Sequence, residues 1–215
     1  MSAPDDISTR PVSDRVQRKR GRRIQEILTA AAELFGERGY DGVSLEDVAE
    51  RLDVAKSSLY YYFSSKDELV TAAIESLGDE WTSRLEDLLA RTEGTPAQRL
   101  HALIHEHATI AVHDYPAALR LFLEPREWPD AQHDRIKELR RRHDALFRRL
   151  VEDGIDDGSF RVIDIDTTLQ CMHAALSQAP LWSAELPTRL QRKAIDNLTD
   201  TLMLLAGHGA QATGR

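Results

Sequence analysis

Apolar positions recur along the chain at helical spacing, and nowhere do they alternate at period two for long. Ile24, Ile27, Leu28, Ala31, Leu34 and Phe35 fall at i, i+3 and i+4, which is one face of a helix beginning near Arg20. Gly36 and Gly39 are expected to end it, and Gly39-Tyr40-Asp41-Gly42 reads as a turn. Ser44 is then an N-cap, with Asp47 in the capping-box position, for a short helix over 45–52 that buries Leu45, Val48, Ala49 and Leu52. Asp53-Val54-Ala55 makes a tight connection to a second short helix, about 56–63. Ser64-Ser65 caps a much longer one, running past Trp81 to about Leu89 with a bend expected near Gly78. Thr95 as cap and Pro96 at the first helical position open a helix to about His113. A short helix over 117–123, a loop from Pro125 to Pro129 and a long helix from Asp130 follow. That long helix carries Ile136, Leu139, His143, Leu146, Phe147 and Leu150 inward and stops between Gly154 and Gly158. Two last helices, about 165–181 and 187–206, are apolar on wide faces. The pattern predicts an all-α chain of nine helices without an internal repeat.

Charge divides this chain unevenly. The formal net charge is -8, which by itself argues against a polyanionic partner. Residues 1–66 nonetheless carry 11 basic and 11 acidic side chains, so the whole excess lies after residue 66. Between Arg10 and Arg23 stand seven basic residues (Arg10, Arg15, Arg18, Lys19, Arg20, Arg22, Arg23) against one acid, Asp14. A basic arm before a neutral segment and an acidic remainder is the asymmetry of a DNA-binding head on a body. Residues 1–18, with Pro4 and Pro11 and little apolar pattern, read as disordered. No run of about 18 apolar residues is present to span a membrane, and no apolar stretch follows the N-terminal arginines as in a secretory signal. The single cysteine, Cys171, lies in an apolar helical stretch and reads as a small core residue in a reducing, cytoplasmic setting.

The informative segment is SLEDVAERLDVAKSSLYYYFSSKDEL, from Ser44 to Leu69. Two short helices about three residues apart, with Ala49 and Val54 at the turn, have the grammar of a helix-turn-helix. The second helix needs one side to anchor it and another to meet DNA. Leu59 and Phe63 supply the anchor; Lys56, Ser57, Ser58, Tyr60, Tyr61 and Tyr62 supply the exposed side. A major groove about 12 Å wide admits one such helix, whose hydroxyls and ammonium can bond base edges and phosphates.

From Leu34-Phe35-Gly36-Glu37-Arg38-Gly39-Tyr40 through Ser44-Leu45, Val48-Ala49, Val54 to Phe63 and Lys66-Asp67-Glu68-Leu69, the chain resembles the TetR family (TetR/AcrR type) of bacterial transcriptional regulators. The resemblance implies a DNA-binding domain over 19–66 and a ligand-binding and dimerisation domain over 67–208, behind the arm of 1–18. It implies that Lys56, Ser57, Ser58 and Tyr61 face the groove or its rim. Ser44, which replaces the family's common Thr, and Tyr60 would touch phosphate, as would Lys66 from the start of the fourth helix. Tyr62, where relatives often carry His or Phe, and Arg20, Arg22 and Arg23 of the basic arm complete the DNA-binding set, the arm reaching the adjacent minor groove. The implied partners are a palindromic double-stranded operator, a small-molecule ligand and a second copy of the chain.

For the body, the resemblance implies a ligand cavity within about 70–160. Its candidate lining is Trp81, Leu85, Ile104, His105, Leu119, Phe122, Leu123, Trp128, Leu146, Phe147, Met172 and Trp182. The layout of Gly158-Ser159-Phe160-Arg161 is similar to that of regulators of lipid catabolism, so an acyl-CoA or another hydrophobic metabolite is the expected effector. The last two helices carry Leu169, Met172, Ala175, Leu176, Ile195, Leu198, Leu202, Met203 and Leu205, more apolar surface than a monomer is expected to expose. His101 and His105 are one helical turn apart, a spacing that chelates zinc, but no Glu follows His101 and Glu106 is on another face. A polar patch is the plainer reading. Arg140-Arg141-Arg142 reads as a solvated face paired with nearby acids. The sequence carries no catalytic motif, and no enzyme, cofactor or metal is expected.

Overall fold

The computed structural model describes residues 14–114 and 130–207. Among them are eight α-helices and one π-helical turn, with no strand. They are α1 (Asp14–Arg38), α2 (Leu45–Arg51), α3 (Lys56–Tyr60), α4 (Lys66–Arg91), α5 (Pro96–Thr109, continued by a π-helical turn at Ile110–Asp114), α6 (Asp130–Asp156), α7 (Ile165–Ser183) and α8 (Thr188–Leu205). The chain is all-α, as its periodicity predicts. The ninth helix expected over 117–123, and the loop after it, lie outside the described residues, as does most of the N-terminal arm.

The capping chemistry read from sequence sets the helix starts. Ser44 and Asp47 form a reciprocal capping box on α2: the Asp47 amide donates to Ser44 Oγ at 3.2 Å, and the Ser44 amide donates to Asp47 Oδ2 at 2.7 Å. Ser65 Oγ accepts the Glu68 amide at the head of α4, and Thr95 with Gln98 repeats the box on α5. These bonds satisfy amides that a helix start leaves unpaired. Asp53 takes a left-handed conformation (φ 51°) in the turn between α2 and α3, a role Asp tolerates better than most residues.

Three boundaries differ from expectation. Helix α1 starts at Asp14, so residues 14–18 are helical rather than disordered. Arg, Lys and Gln are strong helix formers, and this solvated turn needs no core because it continues a helix that has one. Gly36 is buried inside the last turns of α1, which ends only at Arg38; Gly39, at φ 71°, closes it by donating to the Phe35 carbonyl. Helix α3 stops at Tyr60, and Phe63 reaches the core from the turn that follows. Helix α4 runs unbroken through Gly78.

Two apolar cores organise the helices. The head core joins Ile27, Leu34, Phe35, Val48, Leu59, Phe63, Leu69, Val70, Ala73 and Ile74. It also takes in Ile136 and Leu139 of α6, so the head closes on residues far beyond position 66. The body core packs Trp81, Leu85, Leu100, Leu103, Ile104, Phe147, Leu150, Met172, Leu176 and Leu202 from α4 to α8. Most of the residues expected to pair two copies (Leu169, Met172, Leu176, Ile195, Leu202, Met203) are buried in the protomer's own core. The large apolar side chains left exposed on α7, α8 and their connection are Leu181, Trp182, Leu190, Leu204 and Leu205. Cys171 is exposed rather than in the core, because the inward face of α7 at that turn is taken by Leu169, Met172 and Leu176.

Gly154 lies in the last turns of α6 directly under the Phe160 ring, where a Cβ would overlap ring carbons. Helix propensity favours Ala over Gly by about 1 kcal/mol, but overpacking a filled core costs about 1–3 kcal/mol. We expect Gly154→Ala to lower stability despite its better helix propensity, read as a drop in the urea midpoint at unchanged slope.

Candidate functional site

The N-termini of α2 and α4 open on one recess of about 490 Å³, lined by residues 41–47, Tyr60, Ser64, Ser65 and Lys66. Three residues expected on phosphate, Ser44, Tyr60 and Lys66, therefore share a single concavity. Two helix starts add partial positive charge to it. Lys66 Nζ lies 3.8 Å from the Tyr40 ring centroid, and Tyr40 Oη donates to Asp67 Oδ1 at 2.9 Å while its ring stacks on Phe35. Tyr40 thus links the end of the α1 segment to the start of α4 and fixes the Lys66 ammonium.

Helix α3 is anchored by Leu59, fully buried, with Phe63 after it. Lys56, Ser57, Ser58, Tyr60 and Tyr61 all point outward, Tyr61 at 71% exposure. Tyr62 does not join them. It is half-buried against the head core and meets Tyr61 edge-on at 5.0 Å, because the turn after Tyr60 rotates it inward. Its ring braces Tyr61.

One basic residue of α1 reaches the recognition helix. Arg15, Arg18, Lys19, Arg20 and Arg22 are exposed, and the Arg20 guanidinium is 6.0 Å from the Tyr61 ring centroid. Arg22 and Arg23 both pair with Glu26, which leaves Arg20 as the member of the predicted trio nearest the recognition helix. Three acids, Asp41, Glu46 and Asp47, line the recess beside these bases. Glu46 forms an ion pair with Lys56, and that contact holds the Glu46 carboxyl below its usual range and the Lys56 ammonium above its own. The sequence reading missed Glu46; its place at the start of α2, one helix from Lys56, was the available signal.

The predicted effector residues separate into groups. Trp81, Leu85, Ile104, Phe147 and Met172 are buried in the body core, and Leu146 packs against it. His105 faces outward, its Nε2 3.1 Å from Asp196 Oδ1 of α8; His101 pairs likewise with Asp200 at 3.4 Å. The helical register that puts Ile104 and His107 inside turns His105 out. Trp182 is 46% exposed beyond the end of the core. Leu119, Phe122, Leu123 and Trp128 lie outside the described residues. Not foreseen is His107, buried between Trp81 and His143 with ring centroids 4.8 and 5.0 Å away.

A small domain that presents a short, well-anchored helix beside a recess carrying Ser44, Tyr60 and Lys66, mounted on a helical body, defines a helix-turn-helix DNA-binding regulator. Its family can be named as well. Residues 27–73 match the family model of bacterial regulatory proteins of the tetR family, and 93–185 match that of a tetracyclin repressor-like C-terminal domain. The chain is 30% identical over 162 residues to the HTH-type transcriptional repressor KstR2 of Mycobacterium tuberculosis H37Rv, covering 71% of this chain and 77% of that protein. A TetR/AcrR-family regulator from Thermobifida fusca superposes with a TM-score of 0.67 at 25% identity over 90% of this chain and 100% of that one. FadR of Bacillus subtilis in complex with stearoyl-CoA shares the fold (TM-score 0.72, 18% identity, 84% and 98% coverage). The chain belongs to the TetR family, whose members act by binding DNA rather than by catalysis.

Two predictions follow from the charges. Glu46→Gln releases Lys56 and removes a negative charge beside the recess, so DNA affinity is expected to rise several-fold at fixed salt in an anisotropy titration, for cognate and random duplexes alike. The second concerns pH. Burial, with repulsion from His173, lowers the His143 pKa to about 4 from 6.5. Between those values the unfolded chain binds a proton that the native state refuses, so stability falls as pH drops from 6.5 toward 4, by roughly 3 kcal/mol for this group. His143→Phe should lessen the fall in melting temperature across that window, leaving the share that His107 and His173 contribute.

Proposed function

We propose that this chain is a dimeric repressor that binds a palindromic operator and leaves it when a small hydrophobic metabolite, such as an acyl-CoA, occupies the body. The observation that carries the reading is the convergence of Ser44, Tyr60 and Lys66 on one recess beside an exposed helix bearing Lys56, Ser57, Ser58 and Tyr61. In this reading Ser44, Tyr60 and Lys66 hold phosphates and fix register, while Ser57 and Ser58 read base edges. Arg20, Arg22 and Arg23 add charge on the flank of the half-site. Tyr62 serves through Tyr61 rather than by touching DNA. The DNA-binding domain is the head, functionally 19–66, and the remainder to about 208 is the body.

Pairing of two copies through α7 and α8 is supported by the apolar side chains exposed there, Leu181, Trp182, Leu190, Leu204 and Leu205. A two-fold dimer presents two recognition helices and asks for two related half-sites. The effector class is supported by the relatives: one similar structure is a complex with stearoyl-CoA, and another is described as the ketosteroid transcriptional regulator KstR2. No helix among the described residues is long and apolar enough to cross a membrane, which fits a regulator that meets DNA in the cytoplasm.

Selection from a genomic fragment library at defined salt tests the proposal. An enriched palindrome is expected; binding without sequence preference would overturn it. Lys66→Ala should weaken all sequences alike and reduce the salt slope by about 1. Ser57→Ala and Ser58→Ala should instead cost more on the selected operator than on random DNA.

A further inference from the structure

The body core contains more polar nitrogen than packing requires. His107 of α5, His143 of α6 and His173 of α7 follow one another ring to ring, at 5.0 Å and 5.7 Å between centroids. Trp81 of α4 lies 4.8 Å from His107, and Phe147 lies 4.8–5.6 Å from all three imidazoles. Four helices thus converge on five flat rings. His107 is 5% exposed, and its Nδ1 is buried without a hydrogen-bond partner. A core of leucines would avoid the desolvation of these nitrogens, so the imidazoles carry a cost that packing does not explain.

The charge balance of the cluster is one-sided. Trp81 and His107 bring no charge from α4 and α5, and the charged neighbours acting on His107 are the other two histidines. Among the described residues, the carboxylate acting on His143 and His173 is Asp144 of α6. It lies at the His173 end, 3.2 Å from that imidazole, and is already matched by Arg148, which also bonds Asp166 of α7. Among the described residues, three bases therefore meet with no acid of their own at the Trp81–His107 end. Burial lowers the pKa of all three imidazoles, repulsion from neighbouring histidines lowers His107 and His143 further, and Asp144 partly offsets the effect at His173. An anion placed among them reverses that field, since an opposite charge within about 4–6 Å favours the charged form.

We propose that the His107–His143–His173 cluster is the acid-recognising end of the effector site, taking a flat apolar molecule that carries a carboxylate and binding it together with one proton. The molecule arrives ionised; one imidazole takes a proton from solvent, and the two form a buried carboxylate–imidazolium pair. No covalent bond forms. Trp81 and Phe147 offer faces for the flat body of the ligand. This inference rests on the reading of the body as an effector-binding domain, and it replaces the acyl-CoA example, whose thioester carries no carboxylate, with a free acid.

The probe is 2-naphthoate, with 2-naphthamide as its neutral counterpart, titrated calorimetrically into the full-length protein in two buffers of different ionisation enthalpy. Naphthoate is expected to bind at least tenfold tighter than the amide, with uptake of about one proton per chain. Its affinity should fall about tenfold per unit as pH rises above 7, because one proton enters with each ligand. His107→Phe should abolish the uptake and the preference for the acid while leaving amide binding within a few-fold. The wild-type proton count decides the matter even where a variant fails to fold. Binding without proton uptake, equal affinity for acid and amide, or no binding of either overturns the proposal. Release of the operator by stearoyl-CoA in a parallel assay separates the two levels. If that release occurs while naphthoate fails, the effector reading stands without its acid end; if both fail, the effector reading falls too.

Discussion

The seating of α6 against α4 holds the head and the body in one frame. Leu139 rests on Gly78, where any Cβ would meet its side chain, so the seat of α6 on α4 depends on the absence of a side chain there. One turn earlier, Ile136 enters the head core, and both side chains are nearly sealed from solvent. Each contributes about 2 kcal/mol by burial. Arg135 then spans Glu68 and Glu75, two positions on α4 separated by two turns, and Arg142 pairs with Asp79. The apolar contact supplies the energy. The ion pairs, partly exposed, add register more than stability.

Within the head the same economy of anchors applies. A five-residue helix has no stability of its own, since helix nucleation is unfavourable and α3 barely completes one turn. Leu59 and Phe63 hold it, leaving the outward residues free of structural duty. The capping groups do double work. Ser44 and Ser65 satisfy amides of α2 and α4 and at the same time line the recess. A net charge of -8 is no obstacle to such a surface. What an approaching phosphate meets is the local field, and within a Debye length of about 8–10 Å that field is set by Arg20, Lys56 and Lys66 together with Asp41, Glu46 and Asp47 of the recess rather than by the distant acids of the body.

Much of this was legible in the sequence because it is local. Caps, helix faces and the turn between α2 and α3 depend on residues a few positions apart, and Ser44, Ser65, Thr95 and Gly39 act in the structure as their spacing predicts. What was not legible depends on where helices meet. Periodicity places His105 and His107 on one amphipathic helix but does not say which side α8 covers; Asp196 draws His105 out, and Trp81 and Phe147 receive His107. Tyr62 was misplaced because three tyrosines in a row carry no phase of their own: the end of α3 at Tyr60 decides which ring turns inward. The apolar faces of α7 and α8 were overcounted as interface for the same reason. A wide apolar face serves the protomer's own core first, and only the remainder is left for a partner.

Helix α6 carries the consequence of that arrangement. His143 follows Leu139 by four residues, one helical turn, so the ring cluster of the body and the last residues of the head core stand on consecutive turns of a single rigid element. Phe147, another turn on, touches all three imidazoles. A molecule that parts these rings must displace α5, α6 or α7. Displacing α6 moves Leu139 against Gly78, where there is no slack, and so moves α4 and the head mounted on it. Close packing makes such a contact two-valued rather than graded, because a helix seated on a glycine is either in place or out of it. On the proposed reading, a ligand's leverage on DNA binding would be limited only by its differential affinity for the two seatings.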